Sequence, residues 1–223
     1  MRSPLERKER GFDLLSGPYD LLARIFFGNS LQRAQVHFLP VTCPCEQVLL
    51  FGGGTGNLLV ELMKKNTGKK ITYVDLSGKM IAKAGKKLEG HLKKSNVQRV
   101  EVTFIKGSYS EIPELQYDLL ITPFVLDCFN ENELGPAMYS LGKKLKPGGK
   151  WLFTDFHVPQ KGAMNRVSRI IIRSLYFFFN AVCQLGPKKL PAFERYFAEN
   201  GLNVTKERYF LNGLLVTRIY ARS

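Results

Sequence analysis

The chain has 223 residues, 44% of them hydrophobic, enough for one full α/β domain and too few for two ordinary ones. Its start, MRSPLERKER, lacks the pattern of an export signal and leads into no apolar membrane span, so the sequence reads as a cytoplasmic protein. The four cysteines, two of them in Cys43-Pro44-Cys45, lack metal-ligand spacing and read as free thiols, while a net charge of +14 leaves nucleic acid and anionic lipid open as partners.

In chain order, residues 48–51 (VLLF) form an apolar run without alternation, the mark of a central parallel strand buried on both faces. Gly52, Gly53, Gly54, Thr55 and Gly56 follow, and then Leu58, Leu59, Leu62 and Met63 recur at helical spacing, which predicts a helix from near Thr55. A glycine turn between such a strand and such a helix lets the backbone approach a ligand and points free N–H groups at it.

Residues 71–74 predict a second strand ending at the acid Asp75, and residues 77–94 a helix whose apolar stripe is Met80, Ile81, Ala84 and Leu88, with lysines outside. RVEVTFIKGS gives a third strand ending at Gly107 and Ser108, residues 117–127 a fourth, residues 138–149 a helix closed by Pro-Gly-Gly, and residues 150–156 a fifth. Asn212-Gly213 between two β-rich runs predicts a two-residue hairpin. The alternation implies a doubly wound, seven-stranded, mostly parallel sheet that ends in an antiparallel hairpin.

Residues 163–185 are too interrupted by Arg166, Arg169 and Arg173 to span a bilayer. These arginines fall on one helical face, and Ile171, Leu175, Phe178 and Val182 on another. Three readings stay open: a lid over an apolar acceptor, an anchor on anionic membrane, or a core helix packed on the sheet.

Taken in order, the glycine turn, Asp75, YDLLITPFVLDCF and LKPGGKWLFTDF resemble the motif series of class I S-adenosylmethionine-dependent methyltransferases. FDLLSGPYDLLARI, ahead of the turn, is similar to the N-terminal segment of the ubiquinone and menaquinone biosynthesis methyltransferases, so the resemblance runs from about Phe12 to the C-terminus. It implies a Rossmann-like methyltransferase fold, S-adenosylmethionine as cofactor, no metal, and a small, apolar or lipid-like acceptor. Residues 1–40 would be a helical segment capping the site, residues 41–223 the methyltransferase domain, and residues 159–190 an insertion covering the substrate.

Residue by residue, the resemblance places the methionine and ribose over Gly52, Gly53, Gly54, Thr55 and Gly56, the ribose hydroxyls on Asp75, and the adenine against Leu76, with Met80 in the same wall. Thr122 and Phe124 would flank the methyl group and the methionine tail. Leu50 stands where the family usually has an acid that organises the glycine turn, and Asp20, paired with Tyr19, would supply the carboxylate instead. Ser108 stands where an acid commonly meets the adenine amino group, with Tyr109 beside it to compensate. Asp127, Asp155 and His157, at strand ends, are the candidate general bases if the acceptor carries a proton of high pKa.

TPFV after the fourth strand lacks the NPPY-like or DPPY-like tetrapeptide that would suit nucleobase amino groups, which puts RNA or protein acceptors second. A non-catalytic S-adenosylmethionine-binding protein is the third reading, motivated by Leu50 and Ser108.

Overall fold

The computed structural model describes residues 3–42, 45–65, 70–94, 100–187 and 189–222; Cys43 lies outside them. The chain begins with helices α1 (Pro4–Leu15), α2 (Tyr19–Phe27), α3 (Ser30–Val36) and α4 (Leu39–Thr42). Ser3 starts α1 through a capping box, its Oγ accepting from the Glu6 N–H at 3.2 Å while its own N–H donates to Glu6 Oε2 at 2.8 Å.

Strands and helices then alternate: β1 (Gln47–Phe51), α5 (Asn57–Lys64), β2 (Lys70–Asp75), α6 (Gly78–Leu92), β3 (Glu101–Lys106), β4 (Tyr117–Pro123), α7 (Glu131–Lys143) and β5 (Leu145–Phe156). Helices α8 (Ala163–Cys183) and α9 (Phe193–Glu199) precede the final pair, β6 (Leu202–Phe210) and β7 (Leu215–Arg222). The seven strands lie in the order β3-β2-β1-β4-β5-β7-β6, parallel from β3 to β5, with β7 antiparallel to both neighbours. This is the Rossmann-like methyltransferase fold that the motif series implied.

Successive residues of β1 serve the two faces in turn. Leu49 and Phe51 join Leu120, Met138, Trp151 and Phe197 under α7 and α9, while Val48 and Leu50 join Leu58, Leu62, Ala84 and Ile121 under α5 and α6. A strand buried on both faces has no solvent-facing side, which accounts for the unbroken apolar run. Strand order reverses between β1 and β4, and the crevice at their carboxyl ends is where open α/β sheets take ligands.

Five boundaries differ from the sequence reading. The helix after β1 starts at Asn57 rather than Thr55, because Gly56 at φ +86° holds a left-handed conformation just before it. The fourth strand stops at Pro123, four residues short of Asp127: Phe124 turns to φ +51° and Leu126–Cys128 forms a 3-10 turn. The helix expected over residues 138–149 is α7, which starts at Glu131, capped by Asn130, and ends at Lys143. Pro147-Gly148-Gly149 loops out inside β5, between the Tyr117–Leu145 and Leu119–Lys150 pairs, since proline lacks a ladder donor and Gly148 sits at φ +72°. The final hairpin closes over residues 211–214 rather than over two, with Leu211, Asn212 and Gly213 all at positive φ.

Candidate active site at the carboxyl edge of the sheet

The turn after β1 is held by three hydrogen bonds to consecutive residues of β2. The Gly52 N–H donates to the Val74 carbonyl at 2.8 Å, the Tyr73 hydroxyl to the Gly54 carbonyl at 2.7 Å, and the Gly54 N–H to Asp75 Oδ2 at 2.8 Å. A Cβ on Gly53 would lie 2.3 Å from the Tyr73 ring, so that glycine is required by packing. Gly54 differs: at φ +62° a Cβ there would meet nothing within 4 Å and would project into open space.

That space is a cavity of about 320 Å³ lined by Gly52, Gly53, Gly54, Thr55, Asp75, Leu76, Met80, Ser108, Tyr109, Phe124, Tyr19 and Asp20. Of the expected cofactor residues, Gly56 and Thr122 do not line it. Gly56 packs against Ala84 of α6, and Thr122 is fully buried and accepts a 2.9 Å bond from Trp151 Nε1. The carboxyl of Asp75 also accepts from the Ser77 N–H at 2.9 Å. Burial pushes its pKa up to about 6, against the pull of these two N–H donors. Ser77 caps α6 itself, its Oγ accepting from the Met80 N–H.

Asp20 reaches the turn from α2. Its Oδ1 accepts from Thr55 Oγ1 at 2.7 Å and Asn57 Nδ2 at 3.2 Å, and its Oδ2 from Lys87 Nζ at 2.8 Å. Burial works against its charge, but the Lys87 and Thr55 hydrogen bonds prevail and hold its pKa below the usual value. Leu50 is fully buried on β1, and the carboxylate that meets the turn is that of Asp20 on α2. Ser108, at the other end of the cavity, forms a capping box with Glu111, whose Oε2 accepts from the Ser108 N–H at 2.6 Å. Glu111 does not line the cavity, and its Oε1 accepts from Ser110 Oγ at 3.0 Å. Tyr109 packs on Phe129, which packs on Phe51, and the three rings make one wall.

A second cavity, of about 700 Å³, adjoins the first and shares Phe12, Tyr19, Phe124, Cys128 and Leu185 with it. Its remaining walls come mainly from apolar side chains of α2 and α8, among them Leu22, Phe26, Phe27, Ile171, Leu175 and Phe178. Helix α8 buries Ser168, Ile172, Tyr176 and Cys183 and turns Ile171, Leu175 and Phe178 to this cavity. Phe124, in a left-handed conformation that is rare for a bulky residue, holds its ring at the junction, tilted 56° against the Phe156 ring at 5.4 Å.

Asp127 lines the second cavity, and burial pushes its carboxyl up to about 6. Asp155 is fully buried behind it and lines neither cavity; burial first, then the Asp127 charge, raises it well above the usual carboxylate range. Asp155 Oδ1 accepts from the Phe156 N–H at 2.8 Å, and Oδ2 has no hydrogen-bond partner among the described residues. His157 lines neither cavity: its Nδ1 lies 2.8 Å from the Gly213 carbonyl and its ring packs on Tyr209, so it ties β5 to the final hairpin.

The sequence reading expected residues 1–40 to cap the site but did not single out the pair that closes it. Lys8 of α1 donates to Glu133 of α7 at 2.8 Å, and both line the first cavity with Phe12 and Phe129. A contact across 125 positions leaves no local signal.

Residues 49–151 match the family described as Methyltransferase domain. Over 175 residues, 77% of this chain and 76% of the relative, the sequence is 26% identical to demethylmenaquinone methyltransferase of Thermus thermophilus. Over 110 residues it is 39% identical to malonyl-[acyl-carrier protein] O-methyltransferase of Priestia megaterium, a stretch covering 49% of this chain and 36% of that one. The solved DhpI–SAH complex superposes with a TM-score of 0.68 at 16% identity, covering 98% of this chain and 97% of that one. Residues 49–151 thus match a methyltransferase domain, and the sheet order and glycine turn are those of the class I S-adenosylmethionine-dependent methyltransferase fold.

Among the described residues, no helix is long and apolar enough to cross a membrane.

Proposed function

We propose that the protein methylates a lipid-like acceptor whose apolar body occupies the second cavity. The observation that carries this reading is the cavity itself: about 700 Å³, walled by aliphatic and aromatic side chains, and joined to the glycine-turn cavity at Tyr19, Phe124 and Cys128. The name of the Thermus relative suggests the particular form, an aromatic head with an apolar tail, as in demethylmenaquinone.

The cofactor fits the first cavity. Gly54 leaves open the space that any side chain would fill, and Asp75 presents a carboxylate at the floor, suited to two ribose hydroxyls. Leu76 and Met80 offer an apolar wall for the adenine, and Tyr109 and Ser108 close that end. Gly52, Gly53 and Thr55, braced by Asp20 and Lys87, carry the methionine end. Bound there, the sulfonium supplies a methyl group already activated for in-line transfer.

The work left to the protein is alignment and exclusion of water. Tyr19 and Phe124, at the junction, hold the acceptor head in line, and the apolar walls keep the site dry. Asp127 takes the proton that a hydroxyl or acidic C–H acceptor gives up, its carboxyl being poised near 6 in the cavity wall. Asp155, behind it, acts as a positioning residue.

The test is methyl transfer from radiolabelled S-adenosylmethionine to a demethylated quinol with its isoprenoid tail and to the same head without it. Tail contacts realised at the transition state predict a kcat/KM at least roughly tenfold higher for the tailed acceptor. Equal turnover of both would overturn the assignment of the second cavity.

A further inference from the structure

The rim of the second cavity exposes large apolar side chains from two helices and a turn. On α2, Leu21, Ile25 and Phe26 are 62%, 66% and 69% exposed; on α8, Ile170 and Phe177 are 65% and 79% exposed. Phe26, Ile170 and Leu211 of the hairpin turn also line the cavity, so the patch and its mouth are continuous. A group of this size left in water on one face marks an interaction surface.

The charge around it has one sign. Arg166, Arg169 and Arg173 alternate with Ile170 and Phe177 along the outward face of α8, Arg24 stands on α2, and all four arginines are exposed. Helix α8 carries no acidic residue, and the one acid of α2, Asp20, is paired with Lys87 at the glycine turn. None of the four arginines forms an ion pair with a described residue; Arg169 Nε donates to Asn165 Oδ1.

We infer that this face docks on an anionic lipid bilayer, with α2 and α8 lying in the headgroup plane and the cavity mouth turned to the acyl chains. Protruding phenylalanine and isoleucine enter the apolar boundary while neighbouring arginines meet phosphates, the arrangement of an interfacial helix. A second copy of the chain is the poorer occupant, because it would bring the same arginines and another +14 of charge to the contact. The inference deepens the proposed acceptor reading: an acceptor dissolved in the bilayer would enter the cavity without crossing water.

The test uses the full chain, without acceptor, in flotation with vesicles of equimolar phosphatidylglycerol and phosphatidylcholine and with vesicles of phosphatidylcholine alone. We expect binding to the anionic vesicles that weakens as salt rises, and a partition coefficient that falls about fivefold in each of Arg169→Gln and Arg173→Gln. Phe177→Asp and Ile25→Asp should each lower it roughly tenfold or more, with an unchanged thermal shift on S-adenosylhomocysteine showing that the fold and the cofactor site are intact. No flotation with anionic vesicles overturns the inference. So does binding that follows salt but ignores Phe177 and Ile25, which would reflect basic charge alone, or a concentration-dependent dimer that Phe177→Asp dissolves. These outcomes are independent of acceptor turnover, so a failure here and a failure of the acceptor assignment are separable.

Discussion

Asp75 ties the glycine turn to the cofactor site, and its ionisation should set a pH threshold for binding. Burial pushes its carboxyl up to about 6, although the Gly54 and Ser77 N–H groups each donate to it. The charged form is therefore short of donors, and the two ribose hydroxyls would provide them, each hydrogen bond to a charged group contributing about 1.5–3 kcal/mol. Cofactor binding should draw the pKa below its free-enzyme value and release a proton near pH 6. Affinity should be flat above that value and fall about tenfold per pH unit below it, until the bound-state pKa is reached.

Asp75→Asn keeps the shape and one acceptor while removing the charge. It should weaken binding by about 2 kcal/mol, roughly thirtyfold, and abolish the pH dependence. Asp75→Ala should bind still more weakly, but it also leaves two backbone donors unpaired, so its melting temperature has to be measured alongside. Isothermal titration of parent and Asn variant from about pH 5 to about pH 8, in buffers of different ionisation enthalpy, reads affinity and proton release together. Equal dissociation constants, or the same pH slope in both proteins, would refute the role.

The free enzyme should respond in the opposite sense. With a folded pKa of about 6 against an ordinary 3.8, the Asp75 contribution to stability is fully present below about pH 4 and is lost as pH rises through 6. The difference is on the order of 3 kcal/mol.

Two further predictions address the turn and the chemistry. Gly54→Val places a branched side chain at φ +62° facing the cavity, which should cost about 1–2 kcal/mol of stability and eliminate the thermal shift on S-adenosylhomocysteine; a surviving shift would move the ligand off the turn. Asp127→Asn should lower kcat by about 10²-fold or more, remove the limb of the pH–rate profile near 6 and leave the cofactor dissociation constant unchanged, so an unaltered profile would exclude proton transfer to this residue.

What the sequence made legible follows from how locally each feature is encoded. Strand β1 was readable because burial on both faces demands an unbroken apolar run, and the glycine turn because positive φ and close packing exclude side chains there. Asp75 was readable from its place at the end of β2. Asp20 was reached only through the missing acid at Leu50, and its partner Lys87 looked like one more lysine on a solvated face; their contact spans 67 positions and has no local signature.

Thr122 was misplaced by one step of strand alternation, since its side chain turns to Trp151 while Pro123 and Phe124 reach the cavity. His157 was expected on the functional edge because it follows β5, yet the hairpin carbonyl of Gly213 engages it. On helix α8 the buried Ile172 and Tyr176 and the exposed Ile170 all reach the second cavity along with Ile171, Leu175 and Phe178, an overlap that apolar periodicity cannot resolve.

Bracing the glycine turn from α2 has a structural consequence. Here Asp20 fixes the turn from α2, and the same helix supplies Leu22, Ala23, Phe26 and Phe27 to the second cavity and Leu21 and Ile25 to its outer rim. Order in the cofactor site is thereby tied to the placement of an element that also shapes the acceptor cavity. A ligand that steadies α2 in the second cavity should hold Asp20 on Thr55, and occupancy of the glycine turn should hold α2 against the second cavity in return, because coupling between two sites through one element is reciprocal.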